Sequence, residues 1–173
     1  ATLVATYEKN DIRSIFNKAR GFGSDVTSFY NFTTAEEILT PLTQFREVGL
    51  MSSLFRVGYN YNRKYFVDVN ARVDASSKFA TNKKSALFPS VALSWFASKE
   101  KFMSTLKEIN SLKFRFSYGK IGSNPISPYQ SLALMAAIRY NFDDEIVTGF
   151  YESNLANDDL TWETTDQFNF GID

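Results

Sequence analysis

Apolar and polar residues alternate along this chain with a period of two, segment after segment, and that pattern restricts it to half-buried β-strands. Phe55, Val57, Tyr59 and Tyr61 interleave with Arg56, Gly58, Asn60 and Asn62. After Arg63 the phase resumes, with Tyr65, Val67, Val69, Ala71 and Val73 set against Lys64, Asp68, Asn70, Arg72 and Asp74, and Phe66 as the one exception. Two such runs around a tight turn at Asn62-Arg63 predict a hairpin. Val91, Leu93 and Trp95 stand opposite Ser90, Ala92 and Ser94, and Leu112, Phe114, Phe116 and Tyr118 opposite Lys113, Arg115, Ser117 and Gly119. Shorter runs open and close the chain: Leu3, Ala5 and Tyr7, then Phe168, Phe170 and Ile172 against Gln167, Asn169, Gly171 and Asp173. Six strands are expected.

The connections alternate in size, which suggests a sheet with two different ends. Residues 8–51 and 120–163 are expected to be long connections, 75–87 and 98–111 medium ones, and the turn near Asn62 tight. Residues 99–110 carry Phe102, Leu106 and Ile109 at spacings of four and three, which predicts a short amphipathic helix with Ser98 as its N-cap. Gly119, Gly122, Ser123, Pro125 and Pro128 mark an irregular loop after the fourth strand. No repeat or low-complexity stretch divides the chain, so residues 1–173 are expected to lie within a single domain.

Composition excludes several function classes. Lys plus Arg and Asp plus Glu both number 19, so no basic field points to nucleic acid as a partner. With no Cys and no His, disulfides, thiol nucleophiles, imidazole bases and the common zinc ligands are all missing from these 173 residues. No cofactor, metal or catalytic residue is expected. The longest apolar run, residues 132–138, is far shorter than the roughly 20 residues of a membrane-spanning helix. The first residues, Ala1-Thr2-Leu3-Val4-Ala5-Thr6-Tyr7, do not read as a secretion signal.

Alternating strands also suit a soluble β-sandwich with its apolar face inward. Three features favour a membrane barrel instead. The wet faces mix charges of both signs with Asn, Ser and Gly, as a water-filled lumen needs, while the greasy faces are aromatic and Val-rich. The segments run about 9 to 11 residues, the length of a tilted strand crossing a bilayer. Tyr61 and Tyr65 flank the tight turn, Trp95 ends its strand, and with Tyr118 they are candidates for an interfacial aromatic girdle. Lipid-exposed sheet edges are not viable, and the smallest barrels have about eight strands, so the chain is expected to be part of a longer barrel.

The wet-face residues Arg56, Asn60, Asp68, Asn70, Arg72, Lys113 and Arg115 are candidate lumen-facing contacts to a plug or a substrate, against the plainer reading that they solvate the wall and pair with one another. Asp143-Asp144-Glu145 and Asp158-Asp159 are carboxylate clusters without EF-hand spacing and read as solvated loop charge. Nothing sets two carboxylates at a glycosidase separation, so the chain is not expected to be an enzyme. Loop aromatics Phe22, Phe29, Tyr30, Phe32, Tyr129, Phe150 and Tyr151 are candidates for substrate or lid contact.

Several motifs occur in collinear order: Arg72, Asp74, Ser76, Ser77 and Phe79; Phe88-Pro89-Ser90-Val91-Ala92-Leu93-Ser94-Trp95; Ser98, Glu100, Phe102 and Met103; and Leu112-Lys113-Phe114-Arg115-Phe116-Ser117-Tyr118-Gly119. Asn157-Asp158-Asp159-Leu160-Thr161-Trp162-Glu163-Thr164-Thr165 with Gln167, Asn169, Gly171 and Asp173 follows, and Arg20-Gly21-Phe22 is a weaker match. Together they resemble the barrel region of SusC/RagA-type TonB-dependent outer-membrane transporters. The chain departs from that pattern at Ala75, Ala80-Thr81 and Asp158, all in expected loops or turns.

The resemblance implies an all-β fold, an antiparallel transmembrane β-barrel fragment of about six strands with long extracellular loops and one short periplasmic helix. The whole protein would form a barrel of about 22 strands around an N-terminal plug preceding Ala1, in the outer membrane of a Gram-negative bacterium. Its implied partners are the TonB complex, a SusD-like surface lipoprotein, outer-membrane lipid, and an oligosaccharide or peptide substrate.

Overall fold

The computed structural model describes residues 1–24, 26, 30–106 and 108–173; the loop aromatic Phe29 and Lys107 of the expected helix lie outside the described residues. Six antiparallel strands form the main sheet in the order β1-β4-β5-β6-β7-β10: β1 (Thr2–Phe16), β4 (Leu42–Tyr61), β5 (Tyr65–Ser76), β6 (Ser85–Phe96), β7 (Lys113–Ser123) and β10 (Glu163–Ile172). This is the expected six-stranded wall. It is open, with β1 and β10 as its outer strands.

Both long connections contain further strands that alternation did not disclose. β2 (Ala19–Phe22) pairs with β3 (Ala35–Ile38), and β8 (Leu134–Phe142) pairs with β9 (Glu145–Asn154), giving ten strands among the described residues. The first connection is also shorter than expected, spanning 17–41 instead of 8–51. β4 has 20 residues, about twice the length that crosses a bilayer. The half of β4 that precedes Val48, like the half of β1 that follows Glu8, is exposed on both faces, so nothing there requires alternation. In that half the Lys9 ammonium lies 2.8 Å from the Glu47 carboxylate, and the Arg13 guanidinium sits 5.6 Å from the centre of the Phe45 ring. The chain divides into two compact units, residues 9–48 and the remainder.

The expected helix over 99–110 is replaced by two 3-10 turns, Ala97–Lys99 and Lys101–Thr105, and Ser98 is not a cap. The residue between them, Glu100, is extended (φ −81°, ψ 150°). Its carboxylate is held by Tyr65, Trp95 and Lys64, a pull that no continuous helix through this position would satisfy.

The tight turn is as expected. Asn62 and Arg63 both have positive φ (52° and 55°), the two-residue left-handed signature whose twist matches that of the flanking strands. Asn60 Oδ1 accepts from the Arg63 amide and closes it. Asp143 and Asp144 repeat the device between β8 and β9 (φ 53° and 61°), which assigns that carboxylate cluster to a hairpin turn.

Pro89 lies inside β6, and the pairing of β6 with β7 begins only at Ser90. A residue with no N–H to give is tolerated where one neighbour has not yet joined the ladder.

Register puts the apolar alternates of β4, β5, β6, β7 and β10 on one face. Across the sheet run the rows Tyr61, Tyr65, Trp95, Phe114 and Ile172, then Tyr59, Val67, Leu93, Phe116 and Phe170. This face stays uncovered: Tyr59 is 63% exposed, Leu87 55% and Phe170 70%. No second sheet packs against it among the described residues. A sandwich in water buries such a face, whereas a barrel wall turns it to hydrocarbon.

Candidate functional site

The opposite face is polar, and the register gathers on it all seven wet-face candidates. Arg56 stands opposite Asn70, and its guanidinium reaches diagonally to Asp68 Oδ1 at 2.9 Å. Gly58 stands opposite Asp68, and a Cβ there would lie 3.0 Å from the same carboxylate oxygen, so the absent side chain gives the ion pair its room. Asn70 donates to Ser90 Oγ at 3.2 Å, and Arg72 donates to Asp74 at 2.7 Å.

Arg115 donates to Asp173 at 2.6 Å, its guanidinium crossing Gly171. Lys113 holds its ammonium 5.1 Å from the centre of the Phe96 ring, which Lys99 approaches at 4.6 Å. Asn60 serves the turn. Charge on this wall is therefore largely neutralised within the wall, and its amides and hydroxyls also pair there, Asn70 with Ser90 and Asn169 with Ser117. The exposed pairs Arg56–Asp68 and Arg115–Asp173 contribute little stability, about 0–1 kcal/mol each.

Of the four girdle candidates, three meet in one row. Tyr61 and Tyr65 are 6.4 Å apart between ring centres, and Trp95 stacks on Phe114 at 5.6 Å. Tyr118 is placed elsewhere, opposite Val91 and Phe168 in the middle of the face, with its hydroxyl donating to Asp166 at 2.7 Å.

Glu100 organises this end of the sheet. It accepts from the Tyr65 hydroxyl (2.7 Å), the Lys64 ammonium (3.0 Å) and the Trp95 indole N–H (3.4 Å). The Tyr65 hydrogen bond above all, and then that from Lys64, hold its carboxyl below the ordinary carboxylate value against the opposing effect of desolvation. Residue spacing gave no sign of this hub, because two of its three donors, Lys64 and Tyr65, lie on the preceding hairpin, 36 and 35 residues away.

At the other end of the sheet, three of the motifs quoted above converge. Phe79, Phe88 and Trp162 form the buried cluster, with Leu50, Ala86, Ile126 and Leu160 packed around it. Trp162 meets Phe79 at 5.0 Å and Phe88 edge-on at 5.4 Å, and its indole N–H donates to the Lys84 carbonyl at 2.9 Å. Lys78 ties the same region to the Asn124 carbonyl at 3.2 Å. The cluster pins the loops after β5, β7 and β9 onto the polar face. Beside it lies a groove of about 660 Å³ whose lining includes Asn70, Arg72, Ser90, Ser117, Gln167 and Asn169.

The loop aromatics do not form one site. Phe22 and Phe32 are 6.4 Å apart, Tyr30 is 83% exposed, Phe150 and Tyr151 are exposed on β9, and Tyr129 is half-buried with a positive φ of 65°. Asp159 lies 4.0 Å from Lys83, and among the described residues no group of three or more carboxylates is placed to hold a metal ion.

The family described as TonB dependent receptor-like, beta-barrel matches residues 5–173. TonB-dependent receptor P3 of Formosa agariphila is 36% identical over 97% of this chain and 17% of its own length, and SusC, the TonB-dependent receptor of Bacteroides thetaiotaomicron, is 29% identical over 99% and 17%. The solved RagAB peptide transporter superposes with a TM-score of 0.76 at 27% identity, covering 98% of this chain and 19% of that one. The RagAB peptide importer in its 'open-open' state gives 0.70 at 28% identity, with the same coverages.

The chain belongs to the TonB-dependent receptor β-barrel family and is of the SusC/RagA type. It spans 17% of the length of SusC. These relatives are named as receptors and a transporter.

Proposed function

We propose that residues 1–173 form part of a single barrel domain in a TonB-dependent outer-membrane importer of oligosaccharides or peptides in a Gram-negative bacterium, working with a SusD-like surface lipoprotein. The observation that carries this reading is the two-faced sheet, with exposed apolar rows from Tyr61–Ile172 to Val57–Phe168 on one side and charged and amide side chains on the other, in a chain of SusC/RagA type. The tight-turn end faces the periplasm and the long connections face outward, following the usual asymmetry of such barrels.

Arg56, Asp68, Asn70, Arg72, Lys113 and Arg115 then face the lumen, where a plug or passing substrate meets them, and Asn60 sits at the lumen's periplasmic mouth. Tyr61, Tyr65 and Trp95 mark the periplasmic membrane interface, and Tyr118 lies deeper in the wall. The relatives' names support transport as the activity: SusC is a TonB-dependent receptor and RagAB a peptide transporter. The importer needs a plug and a TonB-contacting segment supplied by the parent polypeptide.

The test is energy-dependent uptake of labelled oligosaccharides and peptides by cells carrying the full-length gene, with and without its TonB-contacting segment. Uptake that disappears with that segment supports the importer. Uptake indifferent to it, or an uncoupled leak, assigns the barrel to a structural or export role.

A further inference from the structure

At the tight-turn end of the apolar face, a groove of about 360 Å³ runs among Tyr65, Val67, Leu93, Trp95, Phe114 and Phe170. Its walls are almost wholly hydrocarbon and aromatic, so what fits it is an acyl chain. At its mouth the composition changes. The turn and the connection after β6 carry Arg63, Lys64, Lys99 and Lys101 against Glu108 and the carboxylate of Glu100.

That carboxylate is already committed to Tyr65, Trp95 and Lys64, two of which line the groove. Lys99 donates to the Arg63 carbonyl at 2.9 Å and lies over the Phe96 ring. Arg63 and Lys101 are exposed, and one follows the turn's first residue while the other adjoins Glu100. Phe102, 62% exposed, holds its ring 6.4 Å from Trp95 and extends the apolar wall beyond the strand end. Hydrocarbon groove and surplus positive charge thus meet at one rim.

We infer that this rim binds an anionic phospholipid of the periplasmic leaflet, its phosphodiester held by Arg63 and Lys101 and one acyl chain lying along the groove beside the stacked Trp95 and Phe114. The inference rests on the outer-membrane reading above and adds the lipid class and the residues that select it. A zwitterionic head group gains little from a surplus of cations, whereas each basic side chain near a membrane surface favours anionic lipid about fivefold.

The experiment uses the full-length parent protein, extracted in mild detergent from outer membranes containing phosphatidylglycerol and phosphatidylethanolamine, with the retained lipids quantified by mass spectrometry. The retained lipid should be enriched in phosphatidylglycerol at least about fivefold over the membrane. Arg63→Glu with Lys101→Glu should return it to the membrane's ratio, while Arg63→Lys with Lys101→Arg should keep the enrichment. Heat-modifiable migration on gels shows that each variant is folded.

The same ratio in the wild type and the folded charge-reversal variant overturns the site while leaving the barrel reading intact. Retention of lipid A in place of phosphatidylglycerol would overturn the assignment to the periplasmic leaflet. Recovery of the wild-type parent from the soluble fraction would overturn the outer-membrane reading itself.

Discussion

The Phe88 ring occupies the space that a side chain on Gly122 would need, because a Cβ built there runs into the ring. The contact joins β6 to β7 at the point where the polar face meets the aromatic cluster. Gly122→Ala in the full-length protein should therefore force Phe88 off Trp162 and cost about 1–3 kcal/mol, as overpacking does. Thermal unfolding in detergent, followed by heat-modifiable migration, measures it. An unchanged midpoint would mean that the ring has somewhere else to go.

Trp162 should matter more than any charged residue on the wall. Trp162→Ala removes its contacts with Phe79 and Phe88 and the hydrogen bond to the Lys84 carbonyl, a loss of about 3–5 kcal/mol for a buried aromatic. The loops that it anchors should become accessible to protease while the strands stay protected. Hydrogen exchange over residues 77–84 and 155–162 reads this directly, and unchanged protection there would contradict the anchoring role.

Asp68→Asn offers the opposite expectation. The side chains of Arg56 and Asp68 are 57% and 38% exposed, and a solvated pair of that kind contributes less than about 1 kcal/mol. The variant should fold and unfold like the wild type. A midpoint shift as large as that of Trp162→Ala would show that this wall is dry.

Glu100 makes the turn end acid-sensitive. Its carboxyl is held below the ordinary value of 4.5 by the Tyr65 hydroxyl first and the Lys64 ammonium second. The charged form is thus favoured by folding, and its stabilisation is fully present above the unfolded value. It is lost as pH falls through the lower, folded value. Unfolding midpoints taken downward from pH 6 should fall more steeply for the wild type than for Glu100→Gln below about pH 4.5. Parallel curves would contradict the assignment.

The two faces of the wall were legible in the sequence because a membrane-crossing strand must repeat every second residue, as Phe55 to Tyr61 and Tyr65 to Val73 do. The outer halves of β1 and β4 were not, because Glu8, Lys9, Asn10 and Asp11 lie where both faces are exposed and only backbone pairing specifies the strand. β8 was hidden for a different reason: residues 132–138 form a continuous apolar run with no alternation, and Asp143-Asp144 reads as a charge cluster as readily as a turn. The spacing of Phe102, Leu106 and Ile109 suggested a helix, which the contacts of Glu100 with Tyr65, Trp95 and Lys64 override. Phe79, Phe88 and Trp162 were visible as motif residues, but their meeting is a long-range fact that no local pattern encodes.

The claim beneath all of this is that adjacent residues of one strand face hydrocarbon and water in turn. The chain has no Cys, so Val69→Cys and Asn70→Cys can be placed singly in the full-length protein, once any Cys elsewhere in it is replaced, and labelled in intact outer membranes. Asn70→Cys should react with a water-soluble, membrane-impermeant maleimide, while Val69→Cys should resist it and, carrying a spin label, show collisions with oxygen dissolved in lipid. Equal labelling of both positions, or the reverse order, would contradict the account.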